Sequence, residues 1–183
     1  MENKIVDTVS RSFEVELPQA NTLDQYLDFI IPQIYQWGED LGETKFYVHS
    51  GGKPWLEFRD SENFHEAVLH FFNDGGEYLQ VVNGNISKGR WKLLGDTNKL
   101  ILEQGNRSEL FILGFLSDTF FILKKHGRGT YLVMGYEPRV AGLEWRDYVE
   151  ALFNTYRANE SNTKTTMIII IVIIAIIVLF SIF

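Results

Sequence analysis

Between about Lys45 and Pro138, apolar and polar residues alternate in short runs, each broken by glycine, asparagine or aspartate. The period of two marks strands, because successive side chains on a strand point to opposite faces. Read this way, strands are predicted at Lys45–His49, Trp55–Arg59, His65–Phe72, Glu77–Val82, Gly89–Leu94, Leu100–Glu103, Glu109–Leu116, Phe120–Lys124 and Thr130–Tyr136. Their spacing of roughly ten residues predicts an antiparallel meander that closes into a barrel or a sandwich. Glu62–Phe71 is ambiguous, since Ser61 could cap a helix there.

The period changes on both sides of this block. Thr22-Leu-Asp-Gln25 has the form of a capping box, and Leu23, Tyr26, Leu27, Ile30, Ile31 and Ile34 follow at helical spacing. Pro32 predicts that this helix stops or kinks near Ile31. After Pro138, Trp145, Val149, Leu152, Phe153 and Tyr156 form a second helical stripe, expected to pack on the barrel over residues 142–157. Upstream of all of these, Phe13-Glu-Val-Glu-Leu17 alternates as a weak strand ended by Pro18.

A third pattern occupies Met167–Phe183, MIIIIVIIAIIVLFSIF, which has no charge, proline or glycine. As a helix it would be about 25 Å long, at the short end of what spans a hydrocarbon core of roughly 30 Å. Consecutive isoleucines offer no polar face to water, whereas in lipid the backbone must pair within the segment and a helix follows. The run therefore reads as a single transmembrane tail anchor with the lipid bilayer as its partner. Ala175 and Ser181 are its only small residues, so tight helix pairing is not favoured. The chain thus divides into an N-terminal extension (1–44), a β-rich domain with its packing helix (45–157), a polar linker (158–166) and the anchor (167–183).

Charge and composition restrict the partners. The formal net charge is −7, all of it upstream of the anchor, which excludes a basic stripe-type nucleic acid binder. Arg157 and Lys164 flank the anchor on one side, and the N-terminus lacks the apolar core of a signal peptide. Both place the β-domain in the cytoplasm, and the lack of cysteine fits a reducing compartment.

The order of motifs in the middle of the chain carries a resemblance. Gly89-Arg-Trp91 opens one strand, Asn98-Lys-Leu-Ile-Leu102 the next, and Glu109–Leu116 the third. Asp118 then sits in a tight turn before Phe120-Phe-Ile-Leu123. Over residues 55–137 this resembles bacterial lipocalin-like domains, in which a Gly-x-Trp strand precedes a Leu-x-Leu strand. The resemblance implies a small antiparallel barrel or half-barrel with an apolar interior; with the N-terminal and C-terminal flanking helices read from the periodicity, the fold expected is mainly β (α+β), a lipocalin-like barrel or meander. Exported lipocalins carry Gly-x-Trp near the domain start, so a secreted carrier role does not transfer.

Candidate chemistry is sparse. His65 and His70 are five residues apart, which separates them by about 140° on a helix and by one face on a strand. The histidines of a zinc-protease motif are four apart, so no metal is expected. Ser50-Gly-Gly-Lys53 lacks phosphate-loop spacing, no Gly-x-Ser-x-Gly elbow occurs, and Lys125-His126-Gly127 reads as a strand end entering a turn. Glu57, Asp60, Glu62 and Glu66 cluster near one strand end, as expected of a solvated loop. No catalytic residue and no cofactor is assigned. Trp55, Trp91 and Trp145 read as core, and Trp37 as more exposed. The expected activity is non-catalytic: a membrane-tethered module that docks a protein partner. The alternative is a binder of a lipid or other apolar small molecule, with Phe71, Tyr78, Trp91, Leu102 and Phe111 lining its cavity.

Overall fold

The structure is a computed structural model, and it describes residues 19–49, 51–61 and 66–156. The expected strand Phe13–Leu17, the linker 158–166 and the apolar run Met167–Phe183 lie outside those residues, as do His65 and Glu62. Among the described residues no helix is long and apolar enough to cross a membrane.

The alternating block forms β1 (Trp55–Phe58), β2 (Val68–Phe72), β3 (Glu77–Val82), β4 (Asn85–Leu93), β5 (Lys99–Gln104), β6 (Arg107–Leu116), β7 (Phe120–Lys125) and β8 (Tyr131–Tyr136). Each strand pairs antiparallel with the next, and β8 pairs back onto β1 through Trp55 to Phe58 against Tyr136 to Val133, closing an eight-stranded barrel. Closure leaves no unpaired edge. Tight turns keep the meander in register. Between β3 and β4 they consist of Asn83 (φ 49°) and Gly84 (φ 83°), the left-handed pair that a two-residue hairpin of matching twist requires.

Alternation sorts each strand into an inner and an outer row. Inside lie Trp55, Phe72, Tyr78, Leu100, Leu102, Phe111, Leu113, Phe121, Leu123 and Met134. Outside, Phe58, Phe120, Ile122 and Val133 form an apolar strip along β1, β7 and β8. A register shift between Leu113 and Phe115, at Gly114, turns Phe115 outward to join that strip while Leu116 returns to the inner core. Two helices cover the strip. Leu23–Ile34 contributes Leu23, Leu27, Ile30 and Ile34, and the helix over residues 145–156 contributes Tyr148, Val149, Leu152 and Phe153. Tyr148 is fully buried, and its hydroxyl donates to the Met134 carbonyl at 2.8 Å. It passes close to Gly135, where a Cβ would meet Val140 at 2.8 Å and the Tyr148 ring at 3.1 Å.

The N-terminal helix begins where the capping box places it. Thr22 Oγ1 accepts from Gln25 N–H at 3.3 Å, and the Gln25 side chain accepts from Asn21 N–H at 3.0 Å. It does not stop at Ile31, however, but continues through Pro32 to Ile34. Pro32 lies on the exposed side in the last turn, so the ring removes one hydrogen bond where water can replace it. Burial of Ile30 and Ile34 on one face holds the helix together past it.

The expected strand at Lys45–His49 is also corrected. Thr44–Phe46 is a 3₁₀ turn, and only Val48 makes a β-bridge, parallel to Phe72. Tyr47 explains the departure. Its ring is fully buried, its hydroxyl donates to the Leu41 carbonyl at 2.8 Å, and the Tyr47 and Val48 amides both return to the Thr44 carbonyl. Burying that ring at the barrel end requires a coiled backbone, not an extended one. The ambiguous stretch before Phe72 resolves as strand from Val68 onward.

Gly89 of the Gly-x-Trp motif sits at an inward step of β4, opposite Tyr78 on β3 and Gln104 on β5. A Cβ there would lie 2.2 Å from the Glu103 carbonyl oxygen and 3.1 Å from the Tyr78 ring. Gly89→Ala is therefore expected to cost about 1–3 kcal/mol, the range for forced overpacking. The check is the chemical-denaturation midpoint, and a variant as stable as wild type would refute the close packing of Tyr78 over β4.

Candidate functional site

The barrel interior is divided along its axis. At one end the segment from Leu41 to Tyr47 folds over the opening, and Tyr47 packs with Phe121 (ring centroids 5.1 Å apart), Phe72 (5.8 Å) and Trp91 (5.7 Å). Trp55 completes this cluster against Phe121 at 5.4 Å and donates its indole N–H to the Tyr47 carbonyl at 3.3 Å. Lys53 straps the plug. Its ammonium donates to the carbonyls of Phe46 (2.6 Å) and Asp118 (3.0 Å) and lies 4.4 Å over the Trp55 ring. Burial draws the Lys53 pKa below its ordinary value.

The other half is polar and open. A cavity of about 380 Å³ is lined by Glu57, His70, Tyr78, Gln80, Gln104 and Glu109, with Leu102, Phe111 and Leu132 as apolar wall. Arg59, Arg107 and Lys125 also reach its surface. All of these positions follow from the pleat: Glu57 is two residues from Trp55, His70 two from Phe72, and Glu109 two from Phe111.

Within it, His70 bridges two strands. Nδ1 lies 2.6 Å from the Tyr78 hydroxyl, and Nε2 lies 2.9 Å from Glu57 Oε2. The carboxylate selects the tautomer with the proton on Nε2, which leaves Nδ1 to accept from Tyr78. Both ring nitrogens are thereby engaged. Burial alone would raise the Glu57 pKa, but hydrogen bonds from His70 and Arg59 outweigh it and hold the carboxyl below its ordinary 4.5. Burial, with the fields of Glu57 and Glu109, pushes the Tyr78 phenol up, so it stays protonated.

Further toward the mouth, the Gln104 amide donates to Gln80 Oε1 at 3.1 Å, and Lys125 pairs with Glu109 across β7 and β6. Arg107 opens β6 at the rim, exposed and directly opposite Gln104. Among the described residues it has no carboxylate partner. No group of three metal-ligating side chains occurs among the described residues.

Of the residues singled out as cavity lining, Tyr78, Leu102 and Phe111 stand on the wall of this cavity. Trp91 is in the plugged half, half-buried, with its indole N–H on the Asn73 carbonyl at 2.9 Å. Phe71 occupies the opposite face of β2 from His70 and Phe72, and its ring lies against Gly52. Trp37 is half-buried against the outer core, where Trp145 also packs, 5.9 Å from the Tyr26 ring. The described members of the acidic cluster separate: Asp60 accepts from the Leu23 N–H at 2.9 Å at the start of the N-terminal helix, Glu66 accepts from Asn83, and Glu57 turns into the barrel.

Sequence reasoning missed Glu57, His70, Gln80, Gln104, Glu109 and Lys125 as site residues. The available signal was polar character at the inward step of the alternation, where an all-apolar interior would place leucine or phenylalanine. Searches of protein-family models, curated proteins and solved structures find no match to this chain.

Proposed function

We propose that this chain is a non-catalytic binding module, a lipocalin-like barrel anchored to a membrane by Met167–Phe183, that admits a small ligand through one open end. The observation that carries this reading is the division of the interior. Aromatic packing fills one half, while the other retains a cavity of about 380 Å³, inside the size range of small-molecule sites, with convergent polar groups and an apolar wall. Lining of this polarity favours a small polar guest over a purely apolar lipid, whose burial would strip Glu57, Gln104 and Lys125 of water without replacing it.

The described chain ends at the plugged end of the barrel. Tyr156, the last described residue, packs on Phe115 and Phe120 beside the β6–β7 turn, at the plugged end. Deleting residues 167–183 is expected to move the protein from the membrane pellet to the soluble fraction; retention in the pellet would sink the anchor. For the binding role, the full chain is extracted in mild detergent and examined by native mass spectrometry beside Gln104→Trp, which fills the cavity. A small molecule that accompanies wild type and is lost from the variant is expected, and identical spectra would count against the cavity as a binding site.

A further inference from the structure

From the charge and lining of the open half of the barrel, we infer that its ligand is a small organic anion carrying one carboxylate on a short apolar body. The inference rests on the binding-module reading above and specifies what is bound. Arg59, Arg107 and Lys125 face the cavity against two carboxylates, Glu57 and Glu109. Two of the cations are matched, Arg59 by Glu57 and Lys125 by Glu109. Among the described residues Arg107 is left over, so the described lining carries an excess of one positive charge inside a chain whose net charge is −7. An acidic protein that concentrates unmatched positive charge at the mouth of a concave site favours an anion there and disfavours a cation.

Hydrogen-bonding capacity points the same way. The guanidinium of Arg107 offers a planar fork of donors suited to a carboxylate, and it stands in register with Gln104 on the neighbouring strand. Gln104 already donates to Gln80, and the second amide of that pair keeps donors of its own. Lys125 uses one of its three N–H groups on Glu109. Below these groups the wall becomes apolar at Leu102, Phe111 and Leu132, before the plug closes the barrel. A ligand with its anionic head at the rim and its apolar part directed inward meets each of these surfaces in turn. Its size is limited by the cavity to a few carbons or a single aromatic ring.

The test uses the full chain in nanodiscs and three probes with one body and different heads: 3-phenylpropionate, 3-phenylpropanol and 3-phenylpropylamine. Binding is followed by isothermal titration calorimetry with empty nanodiscs subtracted. The carboxylate is expected to bind about tenfold more tightly than the alcohol, the difference one charge-assisted contact supplies. The amine is expected to bind least. Arg107→Gln should bring the carboxylate and alcohol level, and Arg107→Glu should reverse the order of carboxylate and amine. Arg107 is exposed, so both variants are expected to fold, which circular dichroism checks. Gln104→Trp should remove binding of all three. Equal binding of the three probes, unchanged in the Arg107 variants but lost in Gln104→Trp, would overturn the anion inference and leave the cavity reading standing. No binding by any probe would overturn both.

Discussion

Trp55→Ala is expected to destabilise the barrel by about 3–5 kcal/mol, the cost of truncating a fully buried large aromatic side chain. Trp55 has no exposed surface, stacks edgewise on Phe121 and Tyr136, and supports the Lys53 ammonium that straps the plug. Removing it also orphans the Tyr47 carbonyl it hydrogen-bonds. The surrounding rings belong to the closed wall of the barrel, so they cannot collapse into the vacated space without breaking strand pairing. The measurement is urea unfolding of the full chain in nanodiscs, with Trp91→Ala as comparison. Trp91 is only half-buried and should cost less. A loss below about 1 kcal/mol for Trp55→Ala would be inconsistent with the packing described.

Glu57→Ala is expected to cost about 3 kcal/mol at neutral pH, because removing one member of a buried hydrogen-bonded pair leaves the other without its partner. The Glu57 side chain is 7% exposed and that of His70 2%, so solvent offers little replacement. His70 in turn anchors the Tyr78 hydroxyl, and the loss extends across β1, β2 and β3. The pH dependence has a definite sign. The folded pKa of Glu57 lies below the ordinary 4.5, so near that value the unfolded chain binds more protons than the native one. Its contribution is therefore complete above about pH 4.5 and is lost as pH falls through the folded pKa. Stability curves of wild type and Glu57→Ala should diverge at neutral pH and converge as the pH falls through the folded pKa, below the ordinary 4.5. Parallel curves would remove Glu57 from the account of acid sensitivity.

Much of the barrel is legible in the chain because its turns are chemically explicit. Asn83-Gly84 and the glycines after β5 and β7 mark where strands reverse, and the runs between them match the strands to within a few residues. Lys45–His49 misleads because alternation alone does not distinguish a strand from a loop that buries one aromatic ring, Tyr47. Pro32 marks the helix end only to within a turn: the helix runs on to Ile34, where Ile30 and Ile34 still pack on the core. The site was harder to see. Glu57 looked like one of four loop carboxylates, and His70 looked like half of a failed metal motif. Their relation becomes visible only in the register, where Trp55 faces His70 and puts Glu57 within reach of the imidazole. Residues far apart in sequence, each at an inward step of its own strand, carry no shared local pattern.

The pairing of β1 with β8 has a kinetic consequence. The pairs from β2–β3 to β7–β8 are each joined by a connection of a few residues, whereas this seam links the first strand to the last and must close the longest loop. The ring therefore zips along its hairpins first and seals late. Weakening the seam, as Trp55→Ala does, should mainly accelerate unfolding and leave the refolding rate nearly unchanged. It is also the seam through which a partly opened barrel would expose two sticky strand edges to neighbouring molecules. A shortened lifetime of the closed ring, more than a lower equilibrium stability, would then set how readily this chain aggregates.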